Sequence, residues 1–295
     1  MMGPGARNGR LMGADLSLRC DILQKCLVLT GLLILCGLTS IPAAAESISK
    51  PALYQSDWGV AFQHFRWAEY GEDDIRLLEE TGFLYGLTQE LAYRKGVFGW
   101  RQGAGLFLGE VDYDGYTWDF DPIQTDVAYI MGNIYLDFEP ACQWPSGFLV
   151  KGILGLAGRL WLRDLDDTKT ELGTRVGGVE EWWWSLYARA GAGLEYPLGQ
   201  MGRIFGDAGI KLPIYARNDA TFFVQGSPGV DLAPEPAIAP FAKIGWRWKK
   251  IKVCLFYDTL RFDASDRVKS GTYELYQPES EADMIGLDLS YTFYF

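Results

Sequence analysis

The sequence predicts an all-β fold: an antiparallel transmembrane β-barrel of about ten strands, with eight or twelve as the alternatives. Three observations predict it. Runs of alternating apolar and polar residues recur along the chain, each long enough for the roughly 9–11 residues a spanning strand needs. The connections between runs alternate short and long. No segment beyond residue 45 has the 18 or more apolar residues of a spanning helix.

The first 45 residues read as a targeting segment, outside the fold. Arg7, Arg10, Arg19 and Lys25 form a basic region, Cys26 to Leu38 an uncharged apolar core, and Ala43-Ala44-Ala45 a cleavage site before Glu46. Met12 is an alternative start. Cys36 follows the bulky Leu35, which disfavours lipidation. Removing residues 1–45 leaves 23 basic against 36 acidic groups, a net of −13. That balance excludes a nucleic-acid surface, which needs concentrated positive charge. Residues 46–56 form a short periplasmic segment and 57–295 the barrel, as a single domain.

Ten runs follow, near 57–69, 81–95, 98–112, 125–139, 147–163, 182–198, 203–217, 239–249, 251–263 and 282–295. In the fifth, Phe148, Val150, Leu154, Leu156, Leu160 and Leu162 share a face opposite Lys151, Arg159 and Arg163. The sixth sets Trp182, Trp184, Leu186 and Leu194 against Ser185, Arg189 and Glu195. The seventh sets Ile204, Ala208, Ile210, Leu212 and Ile214 against Asp207, Lys211 and Arg217, and the eighth sets Ala242, Ile244, Trp246 and Trp248 against Lys243, Arg247 and Lys249. The first and third runs are ambiguous in face, and Pro213 argues against regular pairing in the seventh. A polar face with both signs of charge in strand after strand is what a barrel lumen carries. The parity places Glu90, Arg94, Lys151, Arg159, Arg189, Glu195, Asp207, Lys211, Lys243, Arg247, Asp258 and Asp288 inward. Charges in a narrow interior must pair or stay wet. A ten-stranded barrel lies near the filled end of the size range. A charge-paired lumen is therefore expected over a narrow polar pore for ions or small solutes.

The connections at 96–97, 140–146, 199–202 and Lys250 are short, whereas 70–80, 113–124, 164–181, 218–238 and 264–281 are long and acidic. Short turns belong on the periplasmic side and long loops outside. Within the first long connection, Ile75, Leu77 and Leu78 are expected to extend the hairpin above the membrane, with a short helical turn as the alternative.

The last run reads Met-Ile-Gly-Leu-Asp-Leu-Ser-Tyr-Thr-Phe-Tyr-Phe, with Ile285, Leu287, Leu289, Tyr291, Phe293 and Phe295 on one face. It resembles the closing strand of Gram-negative outer-membrane β-barrel proteins, whose terminal Phe and alternating aromatics act as an assembly signal. On that resemblance, Tyr291, Phe293 and Phe295 carry the signal. The resemblance implies a porin-like membrane protein of the bacterial outer membrane, exported by its signal peptide. Its implied partners are periplasmic chaperones and barrel-assembly machinery, then outer-membrane lipid and lipopolysaccharide. It names no functional subfamily and no external ligand.

Few residues suggest chemistry. His64 is the single histidine, and the motifs of omptin-like proteases, lipid A acyltransferases and deacylases, and outer-membrane phospholipases do not surround it. A lumen or rim position is expected for it, and a non-enzymatic protein without a cofactor. Cys142 and Cys254, with one His, make no zinc constellation and are expected as free thiols. Trp182, Trp183 and Trp184 suit an interfacial girdle. Asp164, Asp166, Asp167 and Glu171 lack EF-hand spacing and read as a solvated loop. Gly103-Ala104-Gly105 and Gly191-Ala192-Gly193 lie inside strands and are expected to permit curvature.

Overall fold

A computed structural model of the chain describes residues 53–295, apart from 72–73, 118–119, 171–172, 223–228 and 271–272. The targeting segment at 1–45, residues 46–52 and Glu171 lie outside the described residues. Ten long strands build the wall: β1 (Leu53–Tyr70), β2 (Arg76–Lys95), β3 (Phe98–Tyr116), β4 (Pro122–Phe138), β5 (Leu149–Leu165), β6 (Val179–Pro197), β7 (Arg203–Phe222), β8 (Ala239–Trp248), β9 (Ile251–Asp263) and β10 (Glu279–Tyr294). Each pairs antiparallel with the next, and β10 pairs with β1 from Gln55↔Tyr294 to Tyr70↔Glu279. The sheet thus closes on itself and leaves no open edge.

Outward residues form an apolar belt that includes Trp58, Val60, Phe62, Phe83, Leu87, Leu108, Leu136, Leu154, Ile244, Leu255, Ile285 and Leu289, all exposed. Toward the long loops the outward face turns charged on nearly every strand, at Arg66, Glu79, Glu110, Asp126, Asp164, Glu180, Arg217, Arg261 and Asp283. That ring marks where the wall leaves hydrocarbon. Above it the wall continues, because β1 to β7 have 17 to 20 residues each, more than a crossing requires.

The strands are longer than the alternating runs. β1 begins at Leu53, inside the stretch 46–56 expected to precede the barrel. The connection at 70–80 contracts to residues 71–75, and that at 113–124 to 117–121, since Leu77, Leu78 and Tyr113 continue their strands. The expected one-residue turn at Lys250 has two residues, with Lys249 at φ 53°. Such a φ is what the first position of a tight hairpin turn demands. Gly96 supplies the same left-handed geometry, φ 62°, between β2 and β3. Pro213 sits at a register shift in β7, between Pro213 and Tyr215, which accommodates its missing donor and turns Arg217, expected on the face of Asp207 and Lys211, to the outer wall.

β8 has only 10 residues, so the wall is low there. The preceding connection repairs it. Val230–Leu232 pairs with β7 at Asn218 to Ala220, and Glu235–Pro236 pairs with the end of β9.

Candidate functional site: a lumen filled in layers

Alternation sends every second side chain inward, and the inward set changes character with height. Nearest the short turns lies an ion-pair layer. The Asp207 carboxylate meets Arg101 at 2.7 Å, Lys151 at 3.1 Å and Lys243 at 3.6 Å. Glu139 takes Lys151 at 3.0 Å, Arg94 at 3.4 Å and also Arg101. Glu90 takes Lys243 at 2.9 Å and Lys252 at 3.3 Å, and the Tyr135 hydroxyl donates to it at 2.6 Å. Asp57 accepts from Arg247 and Lys252, each at 2.8 Å, and from the Thr292 hydroxyl at 2.7 Å. Asp137 holds Arg189 at 3.1 Å. Glu195, at the rim, joins Arg203 at 2.8 Å and Arg94 at 3.9 Å. Among the described residues Asp288 makes no ion contact of this kind; the hydroxyls of Thr88 and Ser290 donate to it.

Two glycines make this layer possible. Gly193 faces the lumen where Asp207 and the Lys151 stem pack, and a Cβ there would collide with both. Gly103 leaves room for the Tyr135 ring. These positions permit close lumen packing, a role beyond the curvature expected of them.

At mid-height, Arg159 and Lys211 share one carboxylate, Asp258, with Lys211 at 2.6 Å. They border a cavity of about 200 Å³. All twelve charges assigned inward by parity face the lumen. The structure also brings in Asp57, Arg101, Asp137, Glu139 and Lys252, absent from that set. Lys252 and Asp137 follow the parity of their own strands, where Ile251, Val253 and Leu255, and Ile134, Leu136 and Phe138, face out. Asp57 and Arg101 lie in the two runs whose faces the sequence left ambiguous.

Above the cavity the lumen becomes aromatic. Trp161 and Trp183 stack with ring centroids 5.1 Å apart and planes at 8°. Trp67 meets Trp183 edge-on at 5.2 Å, and Phe262 lies 5.3 Å from Trp183. All four are fully buried. The sequence placed Trp183 in a girdle with its neighbours; the structure corrects this. Trp182 and Trp184 face outward, but alternation turns Trp183 into the core, 0% exposed against 44% for Trp184.

The aromatic layer is capped by a polar one. The Arg163 guanidinium donates to Glu80 and to Glu181, the latter at 3.0 Å, and the Tyr129 hydroxyl donates to Glu80. Gln277, from the last long loop, reaches inward. Its amide donates to Glu69 and to Ser280, both at 3.1 Å, while its oxygen accepts from Asn218 at 2.9 Å. The Trp67 indole also donates to Glu69, at 3.0 Å.

Burial raises the Glu69 carboxyl to about 7, with Arg163 opposing and Glu181 reinforcing that rise. Because the folded state holds this proton more tightly than an ordinary carboxyl, its stabilisation is complete below about pH 4.5 and is lost as pH rises through 7. At about 1.4 kcal/mol per pKa unit, the loss is on the order of 3 kcal/mol. Glu69→Gln is expected to flatten this slope. Urea unfolding of both proteins at pH 4.5 and 8 measures it; equal slopes would refute the assignment.

His64 lies on the outer wall. It is exposed, opposite Phe83 and Ile285 across its neighbouring strands, with the Phe83 ring 5.4 Å away. Of the two expected places, the lumen is thereby excluded. Cys142 and Cys254 are free thiols, one exposed and one facing the lumen. In the third long loop, Asp167 is engaged by Arg175 at 2.6 Å and by the Gly178 amide at 2.8 Å. Tyr291, Phe293 and Phe295 are exposed on the outer wall.

A closed antiparallel barrel with an apolar belt and a packed, polar-and-aromatic lumen defines the class: this chain has the fold of outer-membrane β-barrels. Among solved structures it is similar to the outer membrane protease OmpT from Escherichia coli, at 9% identity over 85% of this chain and 100% of that one, with a TM-score of 0.52. That likeness concerns the fold alone. The toluene transporter TbuX from Ralstonia pickettii matches over 84% of this chain and 90% of its own, at 10% identity and a TM-score of 0.41. The attachment invasion locus protein Ail from Yersinia pestis matches over 83% of this chain and 100% of its own, at 9% identity and a TM-score of 0.29. No family model and no curated protein sequence matches the chain.

Proposed function

We propose that this protein is a sealed, non-enzymatic barrel of the bacterial outer membrane, exported by its N-terminal signal and acting from its acidic long-loop end. The observation that carries this reading is the layered lumen. Any solute would have to cross an ion-pair layer, an aromatic layer and the Gln277 cap in series. Each layer is held by buried groups that are costly to separate.

The long-loop end supports a surface role. Asp112 stands directly opposite Asp126 on the outer wall, and Asp164 opposite Glu180. Like charges in such register weaken a sheet, so this acidity is retained at a cost and suits cationic partners. Lipopolysaccharide and lipid meet the belt below, and chaperones and assembly machinery meet the chain during biogenesis. A hydrolase or acyltransferase built on His64 is disfavoured, since that side chain points away from the lumen.

The test is ion conductance of the barrel in planar bilayers, with heat-modifiable gel migration as the measure of folding. Folded protein that leaves bilayers sealed is the expected result. Discrete, reproducible current steps would overturn the sealed reading and make the protein a narrow channel.

A further inference from the structure

The mid-lumen cavity is bounded by groups whose bonding is incomplete. Gln63 and Tyr187, 2% and 1% exposed, both line it. Among the described residues the Gln63 amide nitrogen has no hydrogen-bond partner of good geometry, nor has the Tyr187 hydroxyl, which has the Ser185 hydroxyl beside it. Each is a donor, and leaving a buried donor unmade is destabilising. A third donor is poorly served: Arg159 Nη1 points at the Met284 thioether, 2.8 Å away, a weak acceptor for a guanidinium.

Charge points the same way. Arg159 and Lys211 have one carboxylate in ion-pair contact between them, Asp258, while Asp57, Glu90 and Asp288 line the cavity elsewhere. Neighbouring Arg189 is already engaged, being stacked between the rings of Tyr135 and Phe241 at 4.5 and 4.2 Å and tied to Asp137. The remaining wall is largely apolar, with Phe107, Phe241 and Phe256 lining the space. A volume of about 200 Å³ holds a single-ring molecule; a dry cavity of about 150 Å³ accepts benzene.

We propose that this chamber is a binding site for a small aromatic monocarboxylate. Its carboxylate supplies the acceptors that Arg159, Tyr187 and Gln63 lack and gives Arg159 and Lys211 a second anion. Its ring packs among the three phenylalanines. A neutral hydrocarbon leaves the donors unmade, and a cation meets Arg159 and Lys211. The inference stands apart from the sealed reading, because a chamber can be occupied whether or not current flows.

The probe is labelled benzoate, present while the chain refolds into detergent micelles so that the closed ends do not bar entry, followed by equilibrium dialysis. Saturable uptake of one benzoate per barrel is expected, displaced by unlabelled benzoate and not by benzyl alcohol. Arg159→Gln is expected to weaken it at least tenfold. Tyr187→Phe removes an unpaired hydroxyl without altering packing, so it is expected to weaken uptake several-fold with no loss of folding. The Tyr187 variant decides the matter if the Arg159 variant misfolds. Absence of saturable uptake, equal displacement by benzyl alcohol, or full uptake by Tyr187→Phe would overturn the proposal.

Discussion

Asp207→Asn is expected to lower the unfolding free energy of the barrel by about 3–5 kcal/mol, the usual cost of removing one partner from a buried ion pair. The substitution changes almost no volume, so the loss is electrostatic. Arg101, Lys151 and Lys243 all lean on this carboxylate, and Arg101 and Lys151 are almost wholly buried. Neutralising Asp207 strands positive charge among positive charge. The double variant Asp207→Asn with Lys151→Met is therefore expected to recover much of the loss, because a buried pair replaced on both sides is close to neutral. Urea unfolding in detergent, followed by tryptophan fluorescence, measures both. A single variant as stable as the parent would show that the layer is wet and its charges independently solvated.

Trp183→Ala is the second large effect, at about 3–5 kcal/mol for truncating a fully buried aromatic. The indole stacks on Trp161, touches Trp67 and Phe262, and donates to Glu181 at 3.0 Å. Removing it opens a void in the aromatic layer and leaves Glu181 with fewer donors. Trp184→Ala, one residue along and facing outward, is expected to cost markedly less, since its side chain is only partly covered by protein. The comparison uses the same residue type on adjacent positions of one strand. Equal losses would mean that Trp183 belongs to the outer girdle with its neighbours and that the aromatic layer does not form.

The inner layers also interact across strands far apart in the chain. Asp57 in β1 is satisfied by Arg247, Lys252 and Thr292 from the last three strands. Such contacts exist only once the barrel has closed, so the charged lumen rewards closure and disfavours open sheets of the same strands. An apolar lumen would not discriminate in this way, since apolar contacts form in many registers.

Much of the architecture is legible in the sequence because a strand has period two. Alternation in β2 and in β5 to β10 assigned one face to lipid and the other to the interior, and the twelve charged residues were read inward from that parity alone. The aromatic carboxy-terminal strand and the alternation of turn lengths pointed to a barrel and to its closure. Where apolar residues occupy both faces, parity is mute. That is why β1 and β3 were ambiguous, why Asp57 and Arg101 went unassigned, and why three consecutive tryptophans read as one girdle. The partners were beyond sequence in any case. Which carboxylate serves which cation depends on how ten strands are staggered around the barrel, a property of closure rather than of any one strand. The same holds for Gln277, a loop residue that reaches the buried Glu69, and for the chamber beside Arg159. Local periodicity determined the wall; the packing of side chains across the closed lumen decided what fills it.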